Sequence, residues 1–174
     1  MDGKYGSHAF FILKLYAEAE NPKAILYPMK VIAIYGKPDV GKSTACYKLY
    51  ELLIHANAKT LYSDPPKVTN PSNQSTKDKD FKVMLEYQNK RILITSGGDD
   101  CSIIANNVAR AISQAPDAFV FAIRRGVWYK SSLSQLQNSP DNIVSIFTLP
   151  EKQTVQEKDI EETRLALSIF NLLP

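Results

Sequence analysis

Histidine and cysteine are scarce in this chain, with two residues of each among 174. A Ser/His/Asp triad or a zinc site built from His and Cys needs more of them, so both are disfavoured. Cys46 and Cys101 stand far apart and form no metal-ligating or redox spacing. We therefore expect two reduced thiols, which favours a cytoplasmic location.

Long apolar runs and an excess of charge of one sign are also missing. No stretch approaches the roughly 18 apolar residues that span a bilayer, so we expect no membrane segment. The net charge is +3, with 21 basic and 18 acidic residues. Such a balance supplies little driving force for binding a polyanion, so nucleic acid is an unlikely partner. The length fits one domain with a single well-buried core.

Glycine is sparse as well, and two of the seven glycines stand in the segment GKPDVGKST, residues 36–44. An apolar, β-branched run precedes this segment and a helical pattern follows it. The spacing G-x-x-x-x-G-K-[ST] predicts a loop whose backbone N–H groups surround a phosphate. We expect Gly36 and Gly41 to allow positive φ, Lys42 to supply a cation, and Ser43 to ligate Mg²⁺. The predicted nucleotide-binding residues are Gly36, Lys37, Pro38, Asp39, Val40, Gly41, Lys42, Ser43 and Thr44.

On these residues the chain resembles the P-loop NTPase superfamily, and the form G-x-P-x-V-G-K-S-T is most like the loop of Era-type GTPases. The resemblance implies a hairpin that leads to D-x-x-G beside the γ-phosphate. The matching residues are Thr95, Ser96, Gly97 and Gly98, with threonine where the metal-linked aspartate is expected. It also implies a switch threonine, for which Thr69 and Thr76 are equal candidates.

The guanine-reading motif [NT]-K-x-D of that family has no match after a later strand. The segment 76–79, TKDK, has lysine where the aspartate should be and precedes the hairpin. Guanine specificity is therefore unsupported. ATP is favoured over GTP as the nucleotide, together with Mg²⁺.

Hydrophobic periodicity predicts an alternation of strands and helices. Strands are expected at 30–35, 59–63, 81–87, 91–95, 118–123 and 143–147, and helices at 42–56, 102–114, 128–137 and 155–172. The pattern predicts a three-layer α/β fold with a mainly parallel central sheet and one antiparallel hairpin. Residues 29–174 would form this domain, and residues 1–28 an appendage. Inward positions are expected at Ile103, Ile104, Val108, Ala111, Ile112, Ile160, Leu165, Leu167, Ile169 and Phe170.

Further chemistry should lie in loops that follow the parallel strands. Asp99 follows a buried strand and could hold the metal or the attacking water, although a turn and helix cap at 96–100 would also explain it. Arg124 and Arg125 end another strand and could neutralise phosphate, or could be a surface pair. Trp128 and Tyr129 are more typical of core or interface positions than of base stacking.

Two classes of function remain. The first is an enzyme that binds a nucleoside triphosphate with Mg²⁺ and hydrolyses it or transfers a phosphoryl group, with Lys42, Asp99 and Arg124 catalytic and Ser43 and Asp99 on the metal. A small-molecule kinase is one form of it. The second is a non-catalytic switch module in which the polar loop 64–80 contacts a protein partner.

Overall fold

The computed structural model describes residues 28–71, 80–125, 134, 136, 142–151 and 154–174. Within this part of the chain the strands are β1 (Lys30–Gly36), β2 (Lys59–Asp64), β3 (Lys82–Tyr87), β4 (Lys90–Thr95), β5 (Ala118–Arg124) and β6 (Ile143–Thr148). The helices are α1 (Lys42–His55), α2 (Cys101–Gln114) and α3 (Val155–Leu172).

The strands form one six-stranded sheet in the order β2-β3-β4-β5-β1-β6. β4, β5, β1 and β6 are parallel to one another, while β3 is antiparallel to both of its neighbours. The predicted α/β class, the mainly parallel sheet and the antiparallel hairpin are therefore confirmed.

Helices cover both faces of the sheet. α1 and α3 pack on one face, through apolar residues that include Leu49, Leu53 and Ile169. α2 packs on the other face through Ile104, Val108 and Ala111. The central strands are buried on both sides, which explains their continuous apolar sequences.

Three predicted inward positions are wrong. Ile112 is 51% exposed, Ile160 is 54% exposed and Leu167 is 44% exposed. At about 100° per residue, Ile160 and Leu167 fall on the side of α3 opposite its buried residues, and Ile112 lies on the flank of α2. An apolar side chain does not by itself reveal which helix face meets the sheet.

The predicted helix 128–137 lies almost wholly outside the described residues, which include only Ser134 and Leu136 of it. Both of these residues are helical, and Leu136 is buried against the α2 face of the sheet. The proposed appendage also lies outside the described part, apart from its last residue, 28. No described helix is both long and apolar enough to cross a bilayer.

Candidate functional site

The 36–44 loop lies at the carboxyl edge of the parallel strands. β1 leads through this loop into α1 on one face of the sheet, whereas β4 leads into α2 on the other face. β5 lies between β1 and β4, and its last residue, Arg124, is in register with Gly36. Connections that leave toward opposite faces open a crevice at the carboxyl ends, which is where α/β sheets bind ligands.

The loop has an alternating backbone conformation. Asp39 has φ 59° and Gly41 has φ 102°, while Val40 between them is not in the positive-φ region. In anion-binding nests, residues of opposite φ sign alternate so that successive N–H groups converge, and residues 39–41 show this alternation. Gly41 is also the N-cap of α1 and provides no side-chain hydrogen bond to the helix.

The expected positive φ at Gly36 is wrong, because this glycine is the extended last residue of β1. The reason for glycine there is space, since an added Cβ would lie 2.9 Å from Cγ2 of Val40. Val40 is buried in the core that α1 and α3 share. It therefore anchors the loop, and Asp39 takes the left-handed conformation expected of Gly36.

Lys42 is the least exposed charged group of the loop, at 6% of its surface. Its Nζ donates to the carbonyl oxygen of Lys37, at 2.6 Å. Desolvation lowers the pKa of the Lys42 ammonium, which the charge of Asp99 opposes and that of Arg124 reinforces. A desolvated ammonium next to the N-terminus of a helix is suited to contact an anion.

Ser43 connects the loop to the end of β4, because its Oγ donates to the carbonyl oxygen of Ser96, at 3.2 Å. Directly beside this contact lies Asp80, whose Oδ2 is 3.0 Å from the position of an added Cβ at Gly97. Desolvation raises the pKa of Asp80 and the nearby charge of Asp99 raises it further, whereas Lys82, Ser96 and Lys42 lower it. The carboxyl group of Asp80 is thus partly desolvated, although the residue as a whole is exposed.

Asp80 is therefore a candidate site residue that the sequence reasoning missed. The sequence pattern places it in the polar loop 64–80, yet the pairing of Lys82 with Thr95 brings the residues before β3 beside those after β4. The hairpin itself was predicted, so its register is the signal that could have found Asp80.

The two aspartates after β4 differ in role. Asp100 is the N-cap of α2, and its Oδ1 accepts from the backbone N–H of Ser102 at 2.7 Å. Asp99 is exposed and near enough to Lys42 and Asp80 to influence the pKa of both. The helix-cap interpretation of residues 96–100 therefore holds for Asp100. Asp99 instead interacts electrostatically with Lys42 and Asp80.

Thr95 supplies no carboxylate at the position where the GTPase resemblance expects one. Its side chain is fully buried, and its Oγ1 has no hydrogen-bond partner among the described residues. The next residues are held close to β5, because the carbonyl oxygen of Gly98 accepts from the N–H of Arg124 at 2.8 Å. Arg124 itself is exposed at the rim.

The donors that meet here fit Mg²⁺ by their chemistry. Ser43 offers a hydroxyl, and Asp80 and Asp99 offer carboxylates, all of them hard oxygen ligands. Within the described ranges no cluster of three or more His, Cys, Asp or Glu could hold a metal by itself. Mg²⁺ in proteins usually binds one or two carboxylates and takes its other ligands from water and substrate phosphates.

No protein-family model matches this chain, and no curated protein or solved structure is significantly similar to it. The interpretation of the site therefore depends on its own geometry.

An ion-pair network borders the loop on the other side. Lys37 Nζ lies 2.6 Å from Oε2 of Glu151, and Arg125 Nη1 lies 3.1 Å from Oε1 of the same carboxylate. The hydrogen bond from Lys37 lowers the pKa of Glu151 most, and the charges of Lys37 and Arg125 contribute. Because all three side chains are largely exposed, the network contributes little to stability.

The remaining predicted residues are less defined. Pro38 is exposed at the tip of the loop, and Thr44 lies half-buried in the first turn of α1. Of the two switch candidates, Thr69 is described and its Oγ1 is buried without a hydrogen-bond partner in the described part. Thr76 lies outside the described residues, as do Trp128 and Tyr129.

Proposed function

We propose that this protein is a cytoplasmic, Mg²⁺-dependent P-loop protein that binds a nucleoside triphosphate and hydrolyses it or transfers its phosphoryl group. The observation that carries the proposal is the nest at Asp39 and Gly41, with the desolvated Lys42 ammonium beside it. A backbone nest, a helix N-terminus and a lysine at one point form a site for a polyphosphate.

The residues around the loop would divide the work. Lys42 would contact the phosphates, and Arg124 at the end of β5 would offset charge that develops on the transferred group. Asp99 would orient the attacking water or acceptor. Ser43, with Asp99 or Asp80, would hold the Mg²⁺, which supplies charge neutralisation at the phosphates when bound.

ATP is the favoured nucleotide only because the guanine-reading motif has no match, and GTP stays in the test. A second candidate function is a non-catalytic switch that acts on a protein partner through the loop 64–80. It is favoured by Thr95, which ends β4 with a hydroxyl at the position where the GTPase resemblance expects a carboxylate.

The test compares the binding of ATP and GTP, with Mg²⁺ and with EDTA, to wild type and Lys42→Ala, and records phosphate release in parallel. We expect about 100-fold weaker binding in Lys42→Ala, because a partly buried charged contact is removed. Lys59→Ala is the matched control, since Lys59 begins β2 and is exposed at the opposite edge of the sheet.

Each outcome separates the candidates. Phosphate release that Lys42→Ala loses and Lys59→Ala keeps would support the enzyme. Tight binding without release, with and without small-molecule acceptors, would support the switch. Binding of neither nucleotide to wild type would contradict the proposal.

A further inference from the structure

Helix α3, although more than 100 residues away in sequence, contacts both positive-φ residues of the 36–44 loop. Lys158 Nζ donates to the carbonyl oxygen of Asp39, at 2.6 Å. Glu162 packs against Gly41 so closely that a Cβ added there would lie 2.0 Å from Oε1. Lys158 and Glu162 are four residues apart and so share one face of the helix.

This face of α3 is fixed to α1 directly beneath the loop. The ammonium Nζ of Lys48, in α1, lies 3.6 Å from Oε2 of Glu162. The same ammonium lies 2.6 Å from Oδ1 of Asp159 and 2.8 Å from Oγ1 of Thr163. Because α1 begins at the loop, the contacts join the loop, α1 and α3 into one unit.

Burial distinguishes Glu162 from an ordinary surface carboxylate, since it is only 4% exposed. Desolvation raises its pKa, while Lys48 and Lys158 lower it. A buried carboxylate behind an anion-binding loop weakens that binding electrostatically unless it is offset. The two lysines supply the offset, so the group can support the backbone of Gly41 at limited electrostatic cost.

We propose that Lys158 and Glu162 are positioning residues that hold Asp39 and Gly41 in the phosphate-binding conformation before a ligand arrives. This inference rests on the proposed function for its consequence, which is tighter nucleotide binding through preorganisation. The order of the 36–44 loop, which the inference also predicts, can be measured without a nucleotide.

Lys158→Met tests the contact with Asp39, and Lys158→Arg restores a donor of similar reach. We expect the ¹⁵N order parameters of Gly41 and Lys42 in nucleotide-free protein to fall in Lys158→Met, from about 0.85 toward 0.6. ATP affinity should fall about tenfold, because a hydrogen bond from a charged group is lost. Lys158→Arg should recover most of both.

Glu162→Ala provides the second arm, with Glu161→Ala as its matched neighbour. Glu161 adjoins Glu162 in sequence, is only half-buried and pairs with Arg164 of the same helix. We expect loss of loop order in Glu162→Ala only. Should Glu162→Ala fail to fold, the two Lys158 variants decide the question.

The outcomes separate this inference from the proposed function. Loop order that falls in Lys158→Met, in a protein that binds no nucleotide, would support the inference and contradict the function. Wild type that binds ATP tightly, with Lys158→Met unchanged in both affinity and loop order, would overturn the inference and leave the function intact.

Discussion

Two carboxylates lie near the predicted phosphate site, although a carboxylate repels phosphate. Asp80 and Asp99 lie close enough to interact with each other and with Lys42. Without a cation between them and a phosphate, their charges would oppose binding. Under the proposed function, Mg²⁺ would take them as ligands or as hydrogen-bond acceptors for its water. In that case we expect the acidic pair to make nucleotide affinity dependent on the metal.

Asp80→Asn should weaken this dependence. We expect the ratio of ATP affinity with Mg²⁺ to that with EDTA to fall about tenfold, as for the loss of a group that orients a metal or its water. Titrations in both buffers give the ratio. Glu86→Gln, near the far end of β3, the strand that follows Asp80, is the control and should keep the wild-type ratio. An unchanged ratio in Asp80→Asn would exclude Asp80 from the metal site.

The contribution of Glu162 to the free energy of unfolding should change with pH. Its folded pKa is raised above 4.5, so the folded state holds the proton more tightly than the unfolded chain does. The associated stabilisation is present below pH 4.5 and is lost as pH rises through the folded pKa.

Denaturant unfolding at several pH values between 4 and 7 measures this effect as the difference between wild type and Glu162→Gln, which cannot titrate. We expect wild type to lose stability relative to the variant as pH rises. Other carboxylates titrate in both proteins and cancel in the difference. A difference that is flat with pH, or that changes in favour of wild type, would contradict the raised pKa.

At the scale of elements, the turn from β4 to α2 depends on close approach to β5. A Cβ at Gly98 would lie 2.0 Å from the carbonyl oxygen of Ala122, which is backbone and cannot move aside. At Gly97 the nearest atom is the carboxylate of Asp80 at 3.0 Å, the end of a flexible side chain. Two adjacent glycines therefore have different constraints.

Gly98→Ala should destabilise the fold by about 3 kcal/mol, because the backbone of two elements must separate. Gly97→Ala should change stability by less than about 1 kcal/mol, since the Asp80 carboxylate can rotate away and its Cβ, at 3.3 Å, needs to give only slightly. Urea denaturation of both variants beside wild type measures the difference. Equal effects of the two substitutions would contradict the difference in constraint between Gly97 and Gly98.

The elements themselves were largely predictable, since apolar periodicity placed each of the six described strands and α1, α2 and α3 to within one residue at either end. Thr154 and Glu157 form the capping box that begins α3. Tertiary packing explains the misses. The exposed side of α3 at Ile160 depends on which face meets α1, and the place of Asp80 depends on strand register.

The candidate site was predictable where it is local and hidden where it is not. The 36–44 loop follows from nine consecutive residues. The contacts from Lys158 and Glu162 join segments more than 100 residues apart, and no local pattern in α3 distinguishes them from surface charges. The sequence therefore predicts the 36–44 loop but not the contacts that Lys158 and Glu162 make with it.

At the scale of the whole molecule, we expect the predicted site to lower the free energy of unfolding of the ligand-free protein. Desolvation of the Lys42 ammonium disfavours the folded state, as its lowered pKa indicates. Functional groups held in unfavourable surroundings are typical of ligand sites. A ligand that binds the folded state alone returns this stability by mass action.

Thermal unfolding of wild type and Lys42→Met, with and without MgATP, tests this balance. Without nucleotide, Lys42→Met should be at least as stable as wild type, because an apolar side chain replaces a desolvated charge. With MgATP at 100 times its Kd, wild type should gain about 2.7 kcal/mol, which is several degrees in Tm, and the variant almost nothing. Lys59→Met should behave as wild type in both buffers. A wild type that MgATP does not stabilise, or a Lys42→Met variant stabilised equally, would mean that the ammonium of Lys42 is not what the nucleotide binds.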